Sequence, residues 1–300
     1  MTQFATIRDS IMRGAGKTIG RDAGNRPARA AGRAATQGAA SRITLPRGSL
    51  ERLLTAATIA ALFCAWFLLT RLELVNPLFL PPPAAVWQAF ITTSTEGYQG
   101  SLLYQHVLAS VERVLAGWSL ACVVGIPLGF LMGTSTRIKA VFDPIIEFYR
   151  PLPPLGLYTL IVLWLGIGEE SKITLLFLAA LPPITISATE AVKSIDRRYI
   201  TAVQSLGADR RQLLRHVIVP ACLPGICTGM RISLGFTYSV LVAAEIVAAT
   251  RGIGWMVWDA AKFLLSDVVI MGLIVLGLTG LALDLVLRRL ERALTPWRFI

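Results

Sequence analysis

EAVKSIDRRYITAVQSLGADRRQLLRHVIVPACLP, residues 190–224, lies between two apolar stretches and is too regular in its pattern to be a plain loop. Tyr199, Ala202, Val203 and Leu206 recur at i, i+3, i+4 and i+7, the spacing of one helical face. Gly207 follows that face. Asp209 to Val217 read as a second amphipathic stretch with Leu213, Leu214 and Val217 on one side, and Pro220 is expected to end it. The pattern predicts two short helices meeting at a glycine, parallel to a membrane surface, as a rigid projection. An ordinary interfacial helix lying in lipid headgroups needs neither the glycine break nor the Asp209-Arg210-Arg211 cluster at the bend.

Around this segment the chain is strongly apolar. Of its 300 residues, 54% are hydrophobic and only 16% charged, and the mean hydropathy is +0.62. Soluble domains carry about a quarter charged residues, so a water-soluble class is excluded. Four cysteines in this length exclude a disulfide scaffold. Six stretches have the composition of membrane spans, approximately 53–70, 114–134, 152–168, 173–189, 225–249 and 268–287. Each is long enough to cross roughly 30 Å of hydrocarbon as a helix. Pro153, Pro154 and Gly156 interrupt the start of the third, and Pro182-Pro183 sits inside the fourth. Proline is tolerated there where neighbouring helices satisfy the freed carbonyls.

The net charge of +11 suggests nucleic acid only if the charges line one soluble face. They follow the spans instead. With the N-terminus inside, the inner segments 1–52, 135–151, 190–220 and 288–300 hold 23 Lys and Arg, against five in the outer loops. The outer five are Arg71, Arg113, Lys172, Arg251 and Lys262, and Arg231 lies inside the fifth span. This is a positive-inside pattern, placing both termini in the cytoplasm. Topology accounts for the basic charge, and no nucleic-acid partner is expected. Residues 1–48 read as a disordered basic tail, with too little patterned apolar surface to offset ordering entropy. Its Arg-rich, acid-poor composition is shared by organellar transit peptides. A tail held near anionic membrane lipid is the preferred reading.

Several chemistries lack their residues. GAGKT at 14–18 has Ile11 where a phosphate loop needs its first glycine, and no apolar strand precedes it. Any ATP must be bound by another chain. His106 and His216 fall in predicted loops on opposite sides of the membrane, and Cys222 and Cys227 do not follow His216 with zinc spacing. No nucleophile–base pair is visible. No catalytic, cofactor-binding or metal-ligating residue is therefore expected. A secondary transporter is the competing class, but repeated halves with midplane charges are not evident.

The opening segment resembles the cytoplasmic signature of ABC importer permeases, EAA-x3-G-x9-I-x-L-P. Thr201-Ala202-Val203, Gly207 and Val217-Ile218-Val219-Pro220 stand at the matching positions. Thr201 replaces the acidic residue, Val203 the second alanine, and valines the Ile and Leu. The flanks look like one branch, the taurine/alkanesulfonate/nitrate permeases. The stretches that carry this likeness are NPLFLPPPAAVW (76–87), FDPIIEFYRPLPPLG (142–156), WLGIGEESKI (164–173), SLGADR (205–210), LVAAEIVAATRGIGWMV (241–257) and ERALTPW (291–297).

The resemblance implies an all-α polytopic membrane protein of the bacterial inner membrane, a type I ABC importer transmembrane domain with six transmembrane helices and a cytoplasmic coupling helix. Residues 49–112 would hold the first span and outer loop, 113–287 the permease core with a coupling loop at 190–220, and 288–300 a cytoplasmic tail. The expected partners are a second copy in a homodimer, two ATP-binding subunits at the cytoplasmic face, and a substrate-binding protein outside. Ala202, Ser205, Leu206, Gly207, Ala208, Asp209, Arg210, Arg211 and Pro220 would form the coupling surface. Leu206 and Ala208 would enter the ATPase groove, with Asp209, Arg210 and Arg211 as its polar rim.

Taurine is the first implied substrate, followed by other alkanesulfonates, nitrate or a small heterocyclic precursor. A transient site for taurine needs hydrogen-bond donors for the sulfonate and a carboxylate or aromatic face for the ammonium. Glu245, with Arg251, Tyr238, Ser239 and Arg231, are the expected pathway or gate residues, because ionisable groups in spans are costly. Arg231 can also snorkel from near its span end, and Asp284 can pair with Arg288 one turn on.

Overall fold

The structure, a computed structural model, describes residues 47–298. Nearly all of the expected 1–48 tail, including the GAGKT run, lies outside them. The chain falls into two units, one ending at Leu54 and one beginning at Thr55; the helical bundle belongs to the second. Every regular element among the described residues is helical: α1 (Arg47–Arg71), α2 (Pro83–Thr95), α3 (Leu103–Thr134), α4 (Thr136–Tyr149), α5 (Pro154–Leu165), α6 (Glu169–Lys193), α7 (Arg197–Ser205), α8 (Arg210–Leu213), a π-turn (Leu214–Ile218), α9 (Val219–Ala248), α10 (Ile253–Lys262), α11 (Ser266–Leu294) and a 3-10 turn (Pro296–Arg298).

Five stretches are long and apolar enough to cross a membrane: Arg52–Arg71, Leu103–Thr134, Glu169–Lys193, Arg210–Val247 and Ser266–Leu294. The stretch expected as the third span is the 12-residue α5, only about 18 Å long. Pro153 and Pro154 set its start, and Gly166 at φ 80° turns the chain at its end.

The centre of the bundle is the pair α3 and α6, which run in the same direction. Gly117, Ala121, Gly125, Gly129 and Gly133 fall every fourth residue along α3, and so share one face. From Gly117 beside Leu176 to Gly133 beside Val192 they admit α6 at close range. Without a hydrophobic drive between helices in lipid, such small-residue seams supply the packing. At Gly129 a Cβ would meet the Thr185 carbonyl oxygen at 2.4 Å and Ala188 Cβ at 2.7 Å. Thr189 Oγ1 donates across the seam to the Gly129 carbonyl at 3.1 Å. Gly129→Ala is therefore expected to cost about 1–3 kcal/mol by overpacking. Gly277→Ala, where no atom lies within 4 Å, should not destabilise. Thermal unfolding in detergent compares the two; equal midpoints would refute the seam.

α9 returns antiparallel to α6, with Gly225 against Ala191 and Gly229 against Ser187. Trp118 Nε1 donates to the Met230 carbonyl at 3.1 Å. Tyr158, Leu175, Leu176, Ile184 and Leu241 form the core between these helices. A second core holds α2, α10 and α11 around Val86, Ile253, Met256 and Met271.

The boundaries correct several sequence readings. α3 starts at Leu103, not 114, so His106 sits in its first turn and is fully buried rather than in a loop. His106, Ser110 and Arg113 look loop-like in isolation but bond inside the bundle. Pro220 does not end the second amphipathic stretch: it sits in the first turn of α9, where its missing N–H is harmless. α11 continues to Leu294, so the 288–300 segment begins as helix.

Candidate functional site

The segment 196–218 forms an exposed elbow. Asp196 Oδ1 accepts from the Arg198 amide at 2.9 Å and starts α7. The chain turns at Gly207, whose φ of +83° lies in the left-handed region that side chains disfavour. Asp209 then caps α8 reciprocally: its Oδ1 accepts from the Gln212 amide at 2.6 Å, while Gln212 Oε1 accepts from the Asp209 amide at 3.0 Å. Leu206 stands at the tip, 87% exposed. Ala202, Ser205, Gly207, Asp209, Arg210 and Arg211 are also exposed, and Ala208 and Pro220 partly so.

The elbow is continuous with a long span. Val219 N–H bonds the Leu214 carbonyl, closing the wide turn that carries α8 into α9. The single-residue expansion of a π-turn accommodates Pro220 without breaking the rod. The helix runs without a break from Arg210 through Val247.

α9 ends, away from the elbow, in an ion network that is buried except at Glu169, whose side chain is 55% exposed. Glu245 has no exposed surface. Its Oε1 accepts from Ser110 Oγ at 2.7 Å and Arg113 Nη1 at 2.8 Å, and its Oε2 from the Gly254 amide at 2.7 Å. Arg113 also grips Glu169 through Nε at 2.6 Å and Nη2 at 2.8 Å, and donates to the Arg251 carbonyl at 2.6 Å. Lys172 Nζ reaches Glu169 Oε1 at 2.8 Å. Two cations thus face two carboxylates, and α3, α6, α9 and the turn into α10 are tied at one point. Ser110 Oγ further accepts from the Ile253 amide at 2.8 Å. Breaking a buried pair costs more than forming it gains, because the survivor is left uncompensated.

Next to this network His106 stacks on Trp255, its Nδ1 accepting from the Gly252 amide at 3.2 Å. Tyr98 Oη donates to Asp259 Oδ2 at 3.1 Å. Burial and the Asp259 carboxylate push the Tyr98 hydroxyl up to about 12, so it stays a donor.

A second ionic group lies toward the elbow end. Arg231 bonds Asp284 at 3.2 Å and Glu291 at 3.3 Å, and Arg288 bonds Asp284 at 2.6 Å. The Asp284–Arg288 pair read from sequence is present. Arg231, expected near its span end with the option of snorkelling, is held by two carboxylates on one face of α11. Arg231, Tyr238 and Asp284 border a cavity of about 290 Å³, and Tyr238 Oη donates to the Leu276 carbonyl at 2.8 Å. Ser239 Oγ is turned back to the Gly235 carbonyl at 3.1 Å.

The expected pathway residues are thus distributed. Glu245 and the Arg251 carbonyl meet in the network; Arg231 and Tyr238 meet at the smaller cavity; Ser239 joins neither. Sequence reading counted Arg113 and Lys172 as outer-loop charges, yet both are buried, and it did not single out Ser110 or Glu169. Their signal was the repeated three-residue spacing, Ser110 with Arg113 and Glu169 with Lys172, at the ends of two spans.

A separate cleft of about 400 Å³ opens between the end of α4, the start of α5, and the middles of α6 and α9. Tyr149, Arg150, Pro182, Pro183, Ser187 and Phe236 are among its walls. Arg150, counted with the inner charges in the sequence, is exposed and borders a cleft that reaches the middle of two spans.

The chain is thus a helical bundle whose exposed elbow runs on into a long span. Residues 125–296 match the family described as binding-protein-dependent transport system inner membrane component, and the chain belongs to that family. It is a multi-span inner-membrane transport subunit of an ABC importer rather than an enzyme, and the family works with ATP-binding and substrate-binding partners.

The chain is similar to the taurine transport system permease protein TauC of Escherichia coli (strain K12), 47% identical over 245 residues, covering 81% of this chain and 89% of that one. It is 33% identical over 239 residues to the bicarbonate transport system permease protein CmpB of Synechocystis sp. (strain ATCC 27184 / PCC 6803 / Kazusa), covering 77% of this chain and 84% of that one. The fold resembles the structure titled inward facing conformations of the MetNI methionine ABC transporter. That match has a TM-score of 0.59 at 22% identity, covering 64% of this chain and 96% of that chain.

Proposed function

We propose that the chain moves taurine inward by alternating access, as a homodimer driven by two separate ATPase subunits and supplied by a binding protein. The observation that carries the mechanism is the elbow. An exposed leucine and a left-handed glycine at the tip of a rod continuous with α9 suit insertion into a partner's groove and transmission of its motion. The elbow then faces the cytoplasm, where the basic inner segments and both termini also lie, and the Glu245 network faces outward. Glu245 and Arg251 belong to the outer end of the pathway, where the network holds three spans together.

The 47% identity to a taurine permease supports taurine as substrate. The likeness to a bicarbonate permease keeps a simple inorganic anion as the second reading. Uptake of labelled taurine into proteoliposomes holding the permease, its ATPase and its binding protein tests both. ATP-dependent uptake blocked by close taurine analogues, and not by bicarbonate or nitrate, is expected. ATP-dependent uptake of bicarbonate or nitrate in its place keeps the mechanism and replaces the substrate. Taurine uptake driven by an ion gradient without ATP removes the mechanism.

A further inference from the structure

We propose that the cleft beside Arg150 is a transient site inside the permease for a small zwitterion. Arg150 takes its oxyanion, and carbonyl oxygens freed on α6 take its ammonium. This rests on the importer reading above and adds to it a place within the membrane where substrate is read.

The first observation is depth. The cleft touches α6 over Leu178–Ser187 and α9 at Ile232 and Phe236, near the middles of both spans. Arg150 is exposed in the single chain and stands at the open side of this cleft; beside the middle of two spans, an arginine is costly unless it has a partner or a role. Arg113 and Arg231 are paired with carboxylates. No ion pair or side-chain hydrogen bond holds Arg150 among the described residues. Its guanidinium presents a planar fork of donors suited to sulfonate or carboxylate oxygens.

The second observation comes from the backbone. Pro182 and Pro183 supply no amide hydrogen, so the carbonyls of Leu178 and Ala179 lose their helical donors. All four residues line the cleft. Carbonyls released by a broken helix are suitable ligands for a cation in a low-dielectric setting. The ring of Phe236 offers the same end of the ligand a π face. No Asp or Glu lines the cleft, so nothing there repels an anion. The volume of about 400 Å³ admits a molecule of taurine's size. A guanidinium and two carbonyls without helical donors, lining one largely apolar cleft, match a zwitterion better than a simple anion.

The test uses the complete importer, with permease, ATPase and binding protein. Ser187→Cys places a thiol in the cleft wall, and its modification by a thiol reagent bearing an ethylsulfonate is followed as excess label over the parent chain. Taurine is expected to slow that labelling. Ethanesulfonate, which lacks the ammonium, is expected to slow it less. Adding Arg150→Gln should abolish protection by both, and Arg150→Lys should restore part of it. Pro182→Ala with Pro183→Ala returns the two donors and should remove the preference for taurine over ethanesulfonate. Taurine uptake by Arg150→Gln should fall by about tenfold or more.

Labelling indifferent to taurine in the Arg150 parent, or Arg150→Gln taking up taurine at the parent rate, overturns the site. The labelling result stands even where an Arg150 variant fails to assemble. A parent importer that moves no taurine with ATP overturns instead the reading on which the site rests.

Discussion

Gly207→Asp is expected to leave the permease in the membrane and to cut ATP-driven uptake by about tenfold or more. Two effects combine. The residue must hold φ at +83°, which costs a side-chain-bearing residue roughly 1–2 kcal/mol. Aspartate tolerates that region better than most residues, so the larger effect comes from its charge. In the proposed complex the tip beside Leu206 enters a groove on the ATPase, and an unpaired carboxylate buried there is expensive. No atom lies within 4 Å of a Cβ at this position in the chain itself, so the fold has room for the substitution. Gly207→Asn, similar in shape and uncharged, should lose less. Uptake and ATPase activity measured on the same proteoliposomes separate coupling from assembly. Uptake by Gly207→Asp at the parent rate would remove the elbow from the mechanism.

The largest loss of stability is expected for Glu245→Ala. Arg113 would keep Glu169 but lose its fully buried partner, and Ser110 Oγ and the Gly254 amide would lose their acceptor. Removing one member of a buried pair costs about 3–5 kcal/mol. Replacing both members by apolar residues, as in Arg113→Met with Glu245→Leu, often recovers most of that. Recovery is limited here because Arg113 also serves Glu169 and the Arg251 carbonyl. Thermal unfolding of both single variants and the double variant in detergent closes the cycle. Strictly additive losses would show that Arg113 and Glu245 are not coupled, contrary to their 2.8 Å contact.

These two sites differ in how far the sequence reveals them. The elbow is local: its helix face, its glycine and its Asp209 cap lie within one short stretch, so spacing alone outlines it. The network is not. Arg113 lies 56 residues from Glu169 and 132 from Glu245, and no period joins them. Counted by segment, Arg113 and Lys172 look like solvated loop charges; in the fold both are buried, Arg113 between Glu245 and Glu169 and Lys172 against Glu169.

Apolar length, the basic segments and the Gly207 spacing were enough for the sequence alone to determine an all-helical membrane protein with a projecting elbow, because hydropathy and helical period act over neighbouring residues. Tertiary structure decided the rest. It laid α9 along α6, paired Arg113 with Glu245, and brought Arg150 to a cleft that reaches the middles of α6 and α9. Each of these depends on which helices lie side by side. That choice is made by close packing along the glycine seam of α3 and by the pairing of Arg113 and Arg231 with carboxylates far away in sequence, neither of which is written in any single stretch of chain.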